Sequence, residues 1–157
     1  KIPAIVDQDG PRGEPISVFE SGAILQYLAR KSAQFYPNDE VERIEVEQWL
    51  MWQMAGFGPM LGQNHHFSRF APERIVYATE RYINETKRLY RVLDTQLTNR
   101  DYVAGDYSIA DMAILPWILR HEWQQVDLAD YPHVLAYMQR LTARPAVQRA
   151  LAIQLTA

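Results

Sequence analysis

The dipeptide Glu20–Ser21 is the main candidate for binding chemistry, because a strand-like apolar segment turns there into an amphipathic helix. Val18 and Phe19 are typical of a strand, and apolar residues recur at helical spacing from Ala23 to Leu28. Ser21 is of a type preferred at the N-cap of a helix. Backbone N–H groups in the first turn of a helix lack intrahelical partners and lie at the positive end of its dipole, so this position attracts a carboxylate.

Glu20 adds a negative charge beside that helix start, and a negative charge suits an ammonium group. Together the two residues would form a receptor for a free amino-acid head, with its carboxylate at Ser21 and its amine beside Glu20. The alternative interpretation is an ordinary strand-to-helix cap with an incidental glutamate. The dipeptide alone does not decide between the two.

The composition excludes several classes of partner. The chain has 157 residues, of which 48% are hydrophobic and 22% are charged, which is typical of a soluble globular protein. Its net charge is −3 and it has no basic block, so we expect no nucleic-acid or anionic-membrane partner. The longest apolar run, 112–119, is interrupted by Pro116 and is far too short to span a bilayer.

Thiol and metal chemistry are constrained by the absence of cysteine. This absence excludes disulfides, a thiolate metal site and a thiol nucleophile supplied by the chain, but it allows thiol chemistry on a bound small molecule. His65 and His66 are adjacent, and neighbouring side chains on a helix point about 100° apart, which disfavours joint chelation of one ion. We therefore predict that these histidines serve in packing and that the chain binds no metal.

The elements that position Glu20–Ser21 are a predicted hairpin and one helix. Two short strand-like segments flank the turn signal Asp9–Gly10, and the helix runs from Ser21 to about Lys31. A two-stranded hairpin with one helix is not stable alone, so we expect it to belong to a larger sheet that continues before Lys1. Residues 34–38 form a predicted linker, which separates a domain of residues 1–33 from an all-helical domain of residues 39–157.

The predicted helical domain contains several start signals. Asp39 with Glu42 predicts a capping box, 56–59 predicts a kink, and Pro72 predicts the first turn of a helix with a buried face from Ile75 to Leu97. Ser108 and Asp111 predict a second capping box, so the role assigned to Asp111 is structural. Two further helices are expected near Pro132 and Pro145.

The chain resembles a cytosolic glutathione transferase without the first part of its thioredoxin-like domain. The resemblance rests on four features in this order: Lys1-Ile2-Pro3, Glu20–Ser21, a helical region and the Ser108–Asp111 box. The resemblance covers essentially the whole chain. It implies an α/β plus all-α fold, in which a partial thioredoxin-like domain precedes an all-helical C-terminal domain. Segments 58–67 and 80–82 are similar to the bacterial Nu class of this family. Members of this class are glutathione-dependent disulfide reductases, and a yeast nitrogen regulator is related to them.

The resemblance implies a role for each residue at the expected glutathione site. Lys1 would meet the glycyl carboxylate, although a solvent-exposed lysine at a strand end is the alternative. Pro3 matches a cis-proline that turns the backbone of Ile2 towards the cysteinyl part of glutathione. Glu20 and Ser21 would hold the γ-glutamyl head, in agreement with the receptor derived from their charges.

Arg81 is implied to act across a homodimer. Arg74, Arg81 and Arg88 are spaced by seven residues, which places them on one helix face. In the Nu-class pattern, an arginine at position 81 reaches the glutathione of the neighbouring subunit, and a guanidinium suits bidentate pairing with a carboxylate. The alternative is an exposed basic stripe with local pairs such as Arg81–Glu85.

The function implied is a cytoplasmic, glutathione-dependent disulfide-bond reductase that uses two glutathione molecules. The thiolate-stabilising residue of the family would lie upstream of Lys1, so the chain itself is expected to contain no catalytic residue. Phe57, Met60 and Gln63 could line the pocket for the disulfide or electrophilic second substrate, or could belong to the core. The alternatives are a transferase that conjugates glutathione to an electrophile and a non-enzymatic interaction module on the same fold.

Overall fold

The protein consists of a β-hairpin followed by α-helices, and a computed structural model describes its residues 2–153. The elements in chain order are β1 (Ala4–Asp7), β2 (Ile16–Phe19), α1 (Ser21–Ser32), α2 (Glu40–Trp52), α3 (Gly58–His65), α4 (Val76–Gln96), α5 (Ile109–Ile118), α6 (Pro132–Thr142) and α7 (Pro145–Leu151). The predicted order of a hairpin, one helix and then an all-helical region is confirmed. Within residues 2–153, no helix is both long and apolar enough to cross a membrane.

The hairpin brings its two predicted binding segments to one end. β1 and β2 are antiparallel, and Ala4 pairs with Phe19. Pro3 precedes Ala4 and Glu20 follows Phe19, so both lie at the same end of the two-stranded sheet. The Ile2–Pro3 peptide bond is cis, as expected from the resemblance.

The opposite end of β1 is tied to α1 by the carboxylate of Asp7. The hydroxyl of Tyr27 donates to Asp7 Oδ2 at 2.6 Å, and Lys31 Nζ donates to the same oxygen at 2.6 Å. Lys31 also donates to the backbone carbonyl of Asp9. The bond from Lys31, followed by that from Tyr27, lowers the pKa of Asp7 from 3.8 to about 2. This small network sets the position of α1 on the hairpin.

Asp7 should make the stability of the protein dependent on pH in the acid range. Because its folded-state pKa is depressed, its contribution is complete above about pH 4 and is lost as the pH falls towards 2. We expect the difference in unfolding free energy between the wild type and Asp7→Asn to be constant above pH 5 and to shrink below pH 4, roughly following those two pKa values. Urea denaturation at several pH values measures this difference, and Lys31→Met should reduce its pH dependence. If the two proteins differed in unfolding free energy by the same amount at pH 3 and pH 6, the depressed pKa of Asp7 would be contradicted.

The hydrophobic core lies among the helices, with α5 at its centre. Seven of the ten residues of α5 are buried, which is the pattern of a helix surrounded by others. Fully buried side chains reach this core from each of the surrounding helices: Leu50 of α2, Leu61 of α3, Leu93 of α4 and Tyr137 of α6.

The start of α5 is organised by the predicted Ser108–Asp111 capping box, which is confirmed. The N–H of Ala110 donates to Ser108 Oγ at 3.3 Å, and the N–H of Ser108 donates to Asp111 Oδ2 at 2.8 Å. Asp111 is fully buried and also accepts from the Val103 N–H at 3.0 Å and from the Tyr137 hydroxyl at 2.7 Å. Burial raises the pKa of Asp111, while the hydrogen bonds that it accepts from Val103, Tyr137 and Ser108 oppose that rise. One carboxylate therefore joins α5, α6 and the loop before α5.

The path between α2 and α4 is less regular than the sequence predicts. α2 continues through a π-helical turn at Gln53–Phe57 into α3, and a second π-helical turn, His66–Phe70, follows α3. The predicted irregularity at 56–59 is thus present, as a π-helical turn that runs into α3. Asp39 caps α2 by accepting from the N–H groups of Val41 and Glu42.

The predicted start of α4 at Pro72 is wrong. α4 begins at Val76, and Ile75, assigned to the buried face, is exposed. Ala71 is extended, as expected for a residue before proline, and the chain becomes helical only after the extended residue Ile75. Arg74 consequently precedes α4, so the predicted basic stripe on one helix face is reduced to Arg81 and Arg88.

Candidate functional site

Glu20 forms the abrupt junction between β2 and α1. Its backbone has φ 67° and ψ 117°, a conformation that is uncommon for a residue other than glycine and that stores backbone strain. Its carbonyl accepts the first helical hydrogen bond, from the Ile24 N–H at 2.9 Å. Glu20 is therefore the N-cap, and the prediction that Ser21 occupies this position is wrong. The left-handed turn at Glu20 starts the helix one residue earlier, so Ser21 is its first residue.

The first turn of α1 is available to a ligand. Among the residues that the structure describes, no side chain caps the N–H groups at this helix start. The Glu20 side chain is exposed beside them. A helix start with uncapped N–H groups and an adjacent carboxylate offers complementary contacts to the carboxylate and ammonium groups of an amino-acid head.

The helical region packs against this junction through Met54. Ser21 Oγ lies 3.6 Å from Met54 Sδ, and the Met54 side chain packs against Gly22. A Cβ atom on Gly22 would lie 3.2 Å from Met54 Cγ, so a larger residue at this position would require the Met54 side chain to shift by a few tenths of an ångström. Packing against this turn therefore holds the start of α1 in place.

The remaining residues predicted at this site lie at the same end of the hairpin, as far as the structure describes them. Ile2 is 92% exposed and directly precedes the cis bond to Pro3. The β1–β2 register places these two residues near Glu20. Lys1 lies outside the described residues. The geometry thus brings together Ile2, Pro3, Glu20 and Ser21.

Arg81 lies elsewhere, on the exposed face of α4. It lines a cavity of about 690 Å³ between α3 and α4, together with Met60, Tyr77 and other residues of α4. The alternative pairing of Arg81 with Glu85 is not found, because Glu85 accepts both hydrogen bonds of a bidentate pair from Arg88, at 2.7 and 2.8 Å. That pair lowers the pKa of Glu85. The Arg81 guanidinium therefore remains on the cavity wall.

The predicted second-substrate residues do not form one pocket. Phe57 is fully buried and stacks on Trp52 with ring centroids 4.8 Å apart, so it belongs to the core. Met60 lines the cavity described above, whereas Gln63 is exposed. Of the two interpretations left open for Phe57, the core is the one found, because its ring packs against Trp52 and Tyr90.

The histidines show no sign of a metal centre. In residues 2–153, no group of three or more His, Cys, Asp or Glu side chains could hold an ion. His65 packs against Trp117 and Trp123, with ring centroids 5.8 Å apart in each case. Burial, followed by the charges of Arg120 and Arg69, lowers the pKa of His65.

The surroundings of Trp123 were not predicted from the sequence. Both Arg69 and Arg120 lie over its ring, and His65 lies beside it. These residues come from two segments that are far apart in the chain, 65–69 and 120–123, so no periodic spacing connects one segment with the other. The only sequence signal was the high density of aromatic and basic residues in 65–70 and 117–123.

Comparison with known proteins supports the fold and shows the family. Residues 64–145 match the family model described as glutathione S-transferase, C-terminal domain. The chain is 53% identical over 155 residues to disulfide-bond oxidoreductase YfcG of Escherichia coli (strain K12), covering 96% of this chain and 71% of YfcG.

Two solved structures have the same fold. A glutathione transferase from Pseudomonas putida with bound glutathione disulfide has a TM-score of 0.91 and 46% identity, over 98% of this chain and 70% of that chain. A glutathione transferase from Burkholderia graminis with two bound glutathione molecules per subunit has a TM-score of 0.92 and 42% identity, over 100% of this chain and 69% of that chain. The hairpin and α1 thus correspond to part of a thioredoxin-like domain, and the later helices to the all-helical domain. The chain belongs to the glutathione S-transferase family and is similar to its bacterial disulfide-bond oxidoreductases.

Proposed function

We propose that this chain is part of a glutathione-dependent disulfide-bond reductase, in which two glutathione thiols reduce one substrate disulfide to two thiols and form glutathione disulfide. The observation that carries the proposal is the uncapped start of α1 beside the exposed Glu20 carboxylate. The relatives support it, since YfcG is a disulfide-bond oxidoreductase and the Burkholderia graminis protein holds two glutathione molecules per subunit.

The first glutathione would be held along the end of the hairpin. Its γ-glutamyl carboxylate would accept from the first N–H groups of α1, beginning at Ser21, and its ammonium group would pair with Glu20. The backbone of Ile2, oriented by Pro3, would bond to the cysteinyl part. Lys1 would meet the glycyl carboxylate. This arrangement uses the amino-acid head for binding and leaves the sulfur free to react.

The redox sulfurs would belong to glutathione, since the chain has no cysteine. Thiol–disulfide exchange requires a thiolate, and a thiolate is favoured near a helix N-terminus or a hydrogen-bond donor. We assign no residue of 1–157 to this task. By the family resemblance, the stabilising side chain would precede Lys1 in the whole protein.

We further propose that the protein is a homodimer in the cytoplasm. Its two domains would be residues 1–33 and residues 39–157, joined by residues 34–38. The α1–α5 packing and the bond from the Ile109 N–H to the Phe35 carbonyl connect the two parts. The cavity lined by Arg81 lies on an exposed face between α3 and α4, where a second subunit could present its glutathione.

An activity comparison in the purified full-length protein tests the reaction type. We expect glutathione-dependent reduction of a small disulfide, followed by coupling to glutathione reductase, to exceed conjugation of glutathione to 1-chloro-2,4-dinitrobenzene. Faster conjugation would instead indicate a conjugating transferase. Failure of both reactions, with glutathione binding intact, would favour an interaction module.

Arg81→Ala should weaken glutathione binding in the dimer by about fivefold, or roughly 1 kcal/mol, because one guanidinium–carboxylate contact across the subunits is lost. Calorimetry gives the dissociation constant, and analytical ultracentrifugation at the same concentration gives the oligomeric state. The control is Arg149→Ala, on the exposed surface of α7, which should leave the glutathione dissociation constant unchanged. An equal loss in a monomeric variant would exclude a role across the dimer.

A further inference from the structure

The hydroxyl of Ser21 bonds to the helical region and not to its own helix. Ser21 Oγ donates to Met54 Sδ at a distance of 3.6 Å, and the two residues are 33 positions apart in the chain. Within residues 2–153, this hydroxyl has no second hydrogen-bond partner. A serine at a helix start often bonds to the nearby backbone, so the bond to a distant side chain is a specific feature of this fold.

The sulfur of Met54 is held in place from two sides. Met54 belongs to the first π-helical turn, Gln53–Phe57, and its half-buried side chain packs against the hydrophobic core. On the side of α1, a Cβ atom built on Gly22 would lie 3.3 Å from Met54 Sδ and 3.5 Å from Met54 Cε. The thioether therefore lies along the backbone of the first turn of α1, directly beside the Ser21 hydroxyl.

A thioether is a weak hydrogen-bond acceptor, which suits a group that must release its partner to a ligand. The Ser21 hydroxyl has one proton to donate. A hydrogen bond to a carboxylate is charge-assisted and roughly twice as strong as one between neutral groups, so a ligand carboxylate can replace Met54 Sδ as the acceptor. The bond to sulfur also leaves the first N–H groups of α1 without a cap from Ser21.

We propose that Met54 is a positioning residue for the glutathione site, whose sulfur holds the Ser21 hydroxyl ready to donate to the γ-glutamyl carboxylate. This inference rests on the proposed glutathione site and adds a residue of the helical domain to it. Ser21 and Glu20 both belong to residues 1–33, so the contact with Met54 makes recognition of the amino-acid head depend on how the two domains pack together.

Met54→Leu tests the role of the sulfur, because leucine has a similar volume and no acceptor atom. In the purified full-length protein, we expect this substitution to raise the glutathione dissociation constant about threefold, the effect of losing one weak hydrogen bond that orients the hydroxyl. Met51→Leu makes the same chemical change at an exposed position of α2 and should leave the constant unchanged. Calorimetry measures the dissociation constants, and urea denaturation checks that each variant is folded.

The same substitution in a Ser21→Ala background separates positioning from packing. Ser21→Ala should itself raise the dissociation constant about tenfold, because a hydrogen bond to a charged carboxylate is lost. In that background Met54 has no hydroxyl to hold, so Met54→Leu should cause no further change. A role in packing alone would instead give the same effect of Met54→Leu in both backgrounds, which is the comparison that a double-mutant cycle makes.

Two results would overturn this inference while leaving the glutathione site intact. One is binding of glutathione by Met54→Leu that equals that of the wild type, and the other is an effect of Met54→Leu that is the same with and without the Ser21 hydroxyl. Wild-type protein that binds no glutathione would overturn the proposed site, and the inference with it.

Discussion

Asp111→Ala should destabilise the protein by about 3–5 kcal/mol, a loss that few single substitutions cause. The carboxylate is fully buried and accepts from the N–H groups of Val103 and Ser108 and from the hydroxyl of Tyr137. Its removal leaves these buried donors without a partner, and each unsatisfied group costs about 1–3 kcal/mol. Urea denaturation followed by circular dichroism measures the change in unfolding free energy.

Two further variants separate this network from a general effect of changing an aspartate. Asp111→Asn keeps the shape but places an N–H donor against existing donors, so we expect a loss nearly as large as that of Asp111→Ala. Asp106→Ala changes an exposed residue of the same loop and should alter stability by less than about 0.5 kcal/mol. A similarly small change in Asp111→Ala would show that the capping network is not central to the fold.

The sequence predicted this network because its signal is local. Ser108 and Asp111 are three residues apart, the spacing of a capping box, and they precede an apolar run. The two bonds from Val103 and Tyr137 were not predictable, since they depend on how a loop and α6 pack around α5. The start of α4 was mispredicted for a related reason: Pro72 fits a first helical turn, but the chain bends after Ala71 and becomes helical only after the extended residue Ile75.

The candidate site shows the same division between local and tertiary information. The charge of Glu20 and the helix after it are local features, so the sequence predicted a receptor for an amino-acid head. The positive φ of Glu20 has no signal in the sequence, and the contact of Ser21 with Met54 depends on how α1 packs on the helical region. The cluster around Trp123 joins segments 65–69 and 120–123, so it depends on tertiary packing and was not predicted from the sequence.

The second prediction with a large effect concerns Glu20. Glu20→Gln should raise the glutathione dissociation constant of the full-length protein at least tenfold, or about 1.4 kcal/mol. The substitution removes the charge that would pair with the γ-glutamyl ammonium group and keeps the size of the side chain. It also keeps a residue with a Cβ atom at the positive φ of 67°, so any backbone strain is the same in both proteins. Calorimetry gives the dissociation constant directly.

The control is Glu14→Gln, which removes the same charge from an exposed position in the turn between β1 and β2. It should leave the dissociation constant unchanged, because long-range attraction between exposed charges is screened beyond about 8–10 Å in physiological salt. A glutathione ester blocked at the γ-glutamyl carboxylate tests the other half of the receptor, the N–H groups at the start of α1. If Glu20→Gln binds glutathione like the wild type while the ester still fails to bind, the helix start alone recognises the head and Glu20 serves only to form the turn.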